Sequence, residues 1–176
     1  NSLGAFGVGI GMKDSSDFTL LENNLIYNPR GLYLDQSPYH PRTVNVFERN
    51  NILYNSSGVQ FQVSRERSIF KENVIKGNIE PVVSDTPRNN LDINDWSGNY
   101  WDMYEGFDKN GDGYGDIPYK HYVYADKLWL YNPNVKFFYG SVIMDLLNFL
   151  AKFIPFSEPE LLAVDNKPMM EYKIAK

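Results

Sequence analysis

The first hundred residues contain a repeat with a period of 27 and then 23 residues, which limits the possible folds more than any other feature. In each copy a large apolar residue lies three positions before an asparagine: Leu20 and Asn23, Phe47 and Asn50, Phe70 and Asn73. Apolar residues and further asparagines follow in the same register, namely Leu25, Ile52 and Ile75, and Asn28, Asn55 and Asn78. Such a period predicts a solenoid, in which each coil buries its apolar residues against the neighbouring coils.

The repeat extends beyond these three copies. Residues 31–34 and 58–61 occupy equal offsets, residues 7–10 fit the end of an earlier unit, and residues 96–99 give a fourth, partial match. Short alternating runs with β-branched and aromatic residues, separated by turn residues, predict strands and not helices. The predicted fold is therefore all-β, a right-handed parallel β-helix, with the tryptophans Trp96 and Trp101 closing its end.

The recurrent asparagines are interpreted as architecture and not as chemistry. A side-chain amide at a corner of a coil satisfies backbone groups of the adjacent coil and tolerates left-handed geometry. The predicted organisation is coils over 1–101, a loop region over 102–120, and an aromatic-rich tail over 121–176. Because regular structure is predicted from Phe6 onward, we expect this sequence to be a fragment of a longer protein.

Residues 106–116 place oxygen-bearing side chains at alternating positions, with glycines between them and a sharp turn at Gly113. This is the spacing of a calcium-binding loop, although Tyr119 stands where an EF-hand needs a bidentate glutamate. We predict a stand-alone calcium loop; the alternative is a run of Asx turns without an ion. The predicted ligands are the side chains of Asp108, Asn110, Asp112 and Asp116 and the carbonyl of Tyr114.

Composition excludes several classes of function. The formal net charge of −5 and the absence of a basic cluster argue against a nucleic-acid partner. The chain has no cysteine, which excludes disulfides, thiolate nucleophiles and thiolate metal sites. Two histidines and five methionines are the remaining soft ligands.

An apolar helix is predicted over 141–154, with Ser141 as its N-cap and Pro155 ending it. It is too short to cross a bilayer, which needs about 20 apolar residues. Two roles remain open: the helix caps the end of the solenoid, or it docks on a membrane surface or a membrane-embedded partner. The predicted docking residues are Ile143, Leu147, Leu150 and Phe153.

In these features the chain resembles the C-terminal part of the NosD family, the β-helical accessory proteins of nitrous oxide reductase maturation. The resemblance is carried by four segments: Gly98-Asn99-Tyr100-Trp101, the loop 106–119, Asp126-Lys127-Leu128-Trp129-Leu130, and residues 138–159.

The resemblance implies a periplasmic or exported protein, peripheral to the membrane and without enzymatic activity. It implies work with an ABC-type transporter complex and help in supplying copper to nitrous oxide reductase, with the reductase or a copper chaperone as a further partner. Cu(I) prefers thioether and imidazole ligands. The candidates are Met103, His121, Met169 and Met170, whereas Met144 is interpreted as helix packing.

Two alternative functions use the same fold. A β-helix lyase or epimerase would need a base and cations in a groove, and residues 65–67 (Arg-Glu-Arg) are the densest such group, with a solvated loop as the structural alternative. A carbohydrate-binding module would use exposed aromatic residues, and the repeat register predicts that Tyr27 stacks on Tyr54.

Overall fold

The computed structural model describes residues 7–64, 66–85, 93–123, 142 and 160–172. Four coils of three strands each follow one another. The first coil holds β1 (Val8–Lys13), β2 (Thr19–Leu21) and β3 (Asn24–Ile26), and the second β4 (Arg30–Asp35), β5 (Asn45–Glu48) and β6 (Asn51–Leu53). The third holds β7 (Ser57–Val63), β8 (Ser68–Lys71) and β9 (Val74–Lys76), and the fourth β10 (Glu80–Ser84), β11 (Asp95–Ser97) and β12 (Tyr100–Trp101). Two further strands are β13 (Tyr119–Val123) and β14 (Glu160–Asp165).

Equivalent strands of successive coils pair in parallel and form three sheets. Their orders are β1-β4-β7-β10, β2-β5-β8-β11 and β3-β6-β9-β12, and the second sheet continues with β14 and then β13. The register is the one read from the repeat, because Leu20 pairs with Phe47, Phe47 with Phe70, and Phe70 with Trp96. The predicted parallel β-helix is confirmed.

The interior is a stack of apolar side chains along the solenoid axis. The ring of Phe70 lies between Phe47 and Trp96, with centroid distances of 4.7 and 4.0 Å. Trp101 takes the place that Ile75 holds one coil earlier, and Tyr119 stacks on it at 4.6 Å. Both tryptophans are buried. The prediction that they close the end of the solenoid is wrong, because β14 pairs with β11 beyond Trp96 and Tyr119 stacks on Trp101.

Asparagines at the corner between the second and third sheets form a ladder of hydrogen bonds from coil to coil. The Asn73 Oδ1 atom accepts from the backbone N–H and from the side-chain amide of Asn50, both at 3.0 Å. The Asn73 amide donates to the Phe47 carbonyl and to Asn99 Oδ1. Because buried backbone groups need partners, this confirms the structural role predicted for these residues.

The asparagines at these corners do not themselves adopt the left-handed backbone conformation. The residue before each of them adopts it, with φ of 56° at Glu22, 52° at Arg49, 54° at Glu72 and 70° at Gly98. The sequence interpretation was wrong on this detail. The left-handed residue turns the chain, and the asparagine that follows supplies the hydrogen bonds.

The chain divides into two compact units, residues 1–120 with 162–176, and residues 121–161. Among the residues that the structure describes, no helix has the length and apolar character needed to span a membrane. The helix predicted over 141–154 lies outside the described residues except for Val142, and so do Met144 and the predicted docking residues Ile143, Leu147, Leu150 and Phe153. The predicted domain boundaries stay a prediction.

Candidate functional site

The C-terminal end of the solenoid is built by a segment that returns from far along the chain. Strand β14 pairs in parallel with β11, and Asp165 lies beside Trp96. Four residues later, Met169 forms a parallel bridge with Tyr100 of β12. Residues 160–169 therefore supply part of a fifth coil, which covers the end of the fourth.

Asp165 terminates the asparagine ladder. Its side chain is 0% exposed, and its Oδ2 atom accepts hydrogen bonds from the backbone N–H of Asn99, the Asn99 amide and the Trp101 indole at 2.8 to 3.1 Å. Its Oδ1 atom accepts from the backbone N–H groups of Gly98 and Lys167. A buried carboxylate is tolerated only with such a set of partners. Asp165 thus takes the acceptor role that the next asparagine would have.

Residues 106–116 form a compact loop around the carboxylate of Asp108. The Asp108 Oδ1 atom accepts from the backbone N–H of Gly111 at 2.7 Å, and Oδ2 accepts from that of Gly113 at 2.8 Å. Asp112 and Asp116 make similar local bonds, accepting from the N–H groups of Tyr114 and Lys109. The positive ends of these N–H dipoles stabilise the negative charge of the carboxylates.

The hydrogen bonds from the loop, first among them that from Gly113, hold the pKa of Asp108 below its ordinary value of 3.8. A lowered pKa in the folded state stabilises the loop above the ordinary pKa, and this contribution is lost as the pH falls through the lower folded value. We expect the backbone amides of Gly111 and Gly113 to lose hydrogen-exchange protection in that acidic window. Asp108→Asn removes the titration, so an identical pH dependence in that variant would contradict the assignment.

The loop is fastened to the C-terminal segment by backbone contacts. The Gly115 N–H donates to the Pro168 carbonyl at 2.8 Å, and the Met170 N–H donates to the Gly113 carbonyl at 3.0 Å. These two bonds flank an antiparallel bridge between Tyr114 and Met169. Met169 therefore lies between β12 on one side and the acidic loop on the other, and its backbone position is fixed from both sides.

The described residues contain no group of three or more His, Asp or Glu side chains arranged to hold a metal ion. The oxygens of Asp108, Asp112 and Asp116 instead accept from the backbone of their own loop, as in the Asx-turn alternative. An ionised carboxylate has about four acceptor sites, so these bonds leave lone pairs with which the same oxygens can ligate a cation. Calcium binding by Asp108, Asn110, Asp112, Tyr114 and Asp116 stays a prediction.

The candidate copper ligands fall in different parts of the fold. Met169 and Met170 are half-buried beside the loop, and Met103 lies in the turn after β12 with 58% of its surface exposed. His121 is part of β13 and belongs to the second compact unit. Of these residues, Met169 and Met170 are held against the loop by the backbone contacts described above.

The residues considered for carbohydrate chemistry make contacts between coils. Arg67 pairs with Asp95 at 2.6 Å, and Glu66 accepts from the backbone N–H of Arg42; Arg65 lies outside the described residues. The rings of Tyr27 and Tyr54 stack with centroids 5.4 Å apart, as the register predicts. A stack at successive coils is also what solenoid packing produces, so it does not favour a sugar site by itself.

Sequence reasoning missed Asp165 and the fifth coil. The sequence signal is short: an apolar run over 161–164 is followed by Asp165-Asn166 and Pro168, which is typical of a strand and a turn. This segment occurs once, about sixty residues after the fourth match, so no repeat period identifies it as a further coil.

Comparisons with known proteins identify a matching family and similar proteins. Residues 1–106 match the family model described as NosD, periplasmic copper-binding protein. A protein of Stutzerimonas stutzeri named "Probable ABC transporter binding protein NosD" is 30% identical over 133 residues, which are 75% of this chain and 30% of that protein. A protein of the same name from Pseudomonas aeruginosa is 29% identical over 133 residues, 75% of this chain and 31% of the relative.

The chain spans about 30% of the length of the curated relatives that it matches. The family description as periplasmic confirms the predicted location. Because the family model covers more than half of the chain and the observed fold is the β-helix that the resemblance implied, this chain belongs to the NosD family.

Proposed function

We propose that this chain is part of a non-enzymatic accessory protein that helps to supply copper to nitrous oxide reductase and works with an ABC-type transporter. The observation that carries the proposal is membership in a family described as periplasmic copper-binding proteins. Both relatives are named as probable ABC transporter binding proteins, which supports the transporter as a partner. The reductase or a copper chaperone is the proposed recipient or donor of the metal.

Within this chain, the proposed copper ligands are the thioethers of Met169 and Met170. Hydrogen bonds hold their backbone between β12 and the loop. Two thioether sulfurs, which are soft ligands suited to Cu(I), therefore lie on one fixed segment. The loop next to them carries Asp108, Asp112 and Asp116, whose negative charge favours the approach of a cation. Met103, which lies in the same compact unit, is a candidate for a further ligand.

The copper proposal is tested by anaerobic Cu(I) titration against a competing chelator. We expect Met169→Leu/Met170→Leu to weaken Cu(I) binding at least tenfold, a loss of about 1.4 kcal/mol. Leucine conserves volume and removes only the sulfur. Met12→Leu is the matched control, because Met12 is buried in the first coil, 6% exposed, and should not bind metal. Unchanged binding in the double variant would show that these methionines are not ligands.

The transporter proposal needs a test that leaves the solenoid intact. Deleting 141–176 would remove β14 and Asp165, so loss of binding would not separate docking from unfolding. Replacing Ile143, Leu147, Leu150 and Phe153 with serine is the cleaner change. We expect association with the detergent-solubilised transporter to fall while the melting temperature of the solenoid is retained. Retained association would contradict docking through these residues.

A further inference from the structure

The corners of the solenoid differ in how much their length varies. The corner between the second and third sheets has two residues in every coil, and the corner that leads into the next coil has three each time. The corner between the first and second sheets, which we term the variable corner, has five residues after β1, nine after β4, four after β7 and ten after β10. Insertions confined to one face of a solenoid often mark the face that binds.

An open cavity of about 480 Å³ lies at the variable corner of the first two coils. Its lining consists of Lys13 at the end of β1, Asp14 directly after it, and Gln36, Tyr39 and His40 in the nine-residue insertion. A volume of this size is within the range of small-molecule sites and accommodates one or two sugar rings.

The insertion that forms one wall of the cavity is held in place by hydrogen bonds. The Ser16 hydroxyl accepts from the backbone N–H groups of Tyr39 and His40, both at 2.9 Å. The buried Ser37 hydroxyl donates to the Ser15 carbonyl and accepts from the Asn45 amide. A wall fixed before binding loses little conformational entropy when a ligand enters.

The cavity offers donors and acceptors in balance, without an excess of charge. The Lys13 ammonium is paired with Asp35 at 3.3 Å, and the Asp14 carboxylate stands beside it. This arrangement disfavours phosphate or an acidic sugar, because an anion would meet the Asp14 carboxylate and a lysine that is already paired with Asp35. A cation site is not formed either, since no three His, Asp or Glu side chains converge as metal ligands in the part of the chain that the structure describes.

Two rings and planar polar groups complete the lining. Tyr39 is 42% exposed, and its ring meets that of His40 edge-on, with centroids 5.4 Å apart. An aromatic face can pack against the C–H face of a sugar, and an amide or a carboxylate, such as those of Gln36 and Asp14, can bond a pair of hydroxyl groups. Lys13 supplies further donors.

We propose that the variable corner binds a neutral oligosaccharide in the cavity lined by Lys13, Asp14, Gln36, Tyr39 and His40. This site lies in the first two coils, on residues that the copper proposal does not use. Either proposal therefore stands or fails without the other.

The test is isothermal titration of the protein with maltotriose, cellotriose and triacetylchitotriose, and with trigalacturonate as an acidic ligand of similar size. We expect at least one neutral trisaccharide to bind, and to bind more tightly than trigalacturonate. Tyr39→Ala should weaken that binding at least tenfold, or about 1.4 kcal/mol. Tyr54→Ala, which removes an exposed ring at another corner, should leave the affinity within about twofold.

A second variant distinguishes loss of the binding site from misfolding of the insertion. Gln36 has φ of 47°, and Gln36→Asn suits this left-handed backbone while shortening the amide arm. It should also weaken binding without changing the melting temperature. The proposal is overturned if none of the three neutral sugars binds, if trigalacturonate binds more tightly than all of them, or if binding survives both Tyr39→Ala and Gln36→Asn. Loss of binding in Tyr54→Ala alone would equally overturn it.

Discussion

Asp165→Ala is expected to lower the free energy of unfolding by about 3 to 5 kcal/mol, the cost of removing one partner from a buried charged network. The carboxylate is fully buried and accepts five hydrogen bonds, from Gly98, Asn99 twice, Trp101 and Lys167. Alanine leaves these donors without an acceptor at the end of the solenoid. Urea unfolding, followed by the fluorescence of the buried tryptophans, measures the loss.

Asp102→Ala is the matched control for this prediction. Its carboxylate also accepts from a backbone N–H at the same end, that of Gly77, but the contact is a single one and exposed. We expect a loss of about 1 kcal/mol or less. Asp165→Asn should fall between the two, because it keeps one oxygen and turns the other acceptor into a donor. Equal losses in Asp165→Ala and Asp102→Ala would contradict the role of Asp165 as the end of the ladder.

Asn73→Ala is expected to have the second largest effect, a loss of about 3 kcal/mol, because several buried groups lose a partner together. Asn73 is 0% exposed, and its side chain joins three coils. It accepts twice from Asn50 and donates to the Phe47 carbonyl and to Asn99 Oδ1. Without the amide, the backbone N–H of Asn50 and the carbonyl of Phe47, both in the preceding coil, remain unsatisfied.

Asn23→Ala provides the comparison within the same ladder. Asn23 is half-buried, and its amide donates to the Leu21 carbonyl and to Asn50 Oδ1. The backbone N–H of Asn23 keeps its bond to Asn50 after the substitution. We expect a loss of about 1 kcal/mol or less. If Asn23→Ala is as damaging as Asn73→Ala, burial does not set the energy of the ladder, and the large loss expected for Asn73→Ala needs another cause.

The repeated features were predictable because each occurs in several copies at a fixed interval. The stacking of Leu20, Phe47 and Phe70, the coil register and the Tyr27–Tyr54 contact all follow from that interval. In a parallel solenoid, equal offsets become neighbours one coil apart. The sequence therefore contained the parallel β-helix, the interior stack and the asparagine ladder.

The acidic loop illustrates an intermediate case. Its alternating carboxylates were evident from residues 106–116, and they predicted a cation as the positive partner. In the structure, backbone N–H groups, including those of Gly111 and Gly113, donate to the same carboxylates. Spacing alone does not distinguish the two, since both arrangements use oxygen atoms around a tight turn.

What the sequence alone determined is the periodic part of this protein: a β-helix whose coils, core and corner asparagines repeat. Only the tertiary structure decided the non-periodic part. It placed Asp165 against Asn99, 66 residues away, held Met169 between Tyr100 and Tyr114, and formed a cavity from the first two coils. A contact made once, between distant segments, leaves no periodic signal, because it depends on where the folded chain returns and not on a local pattern.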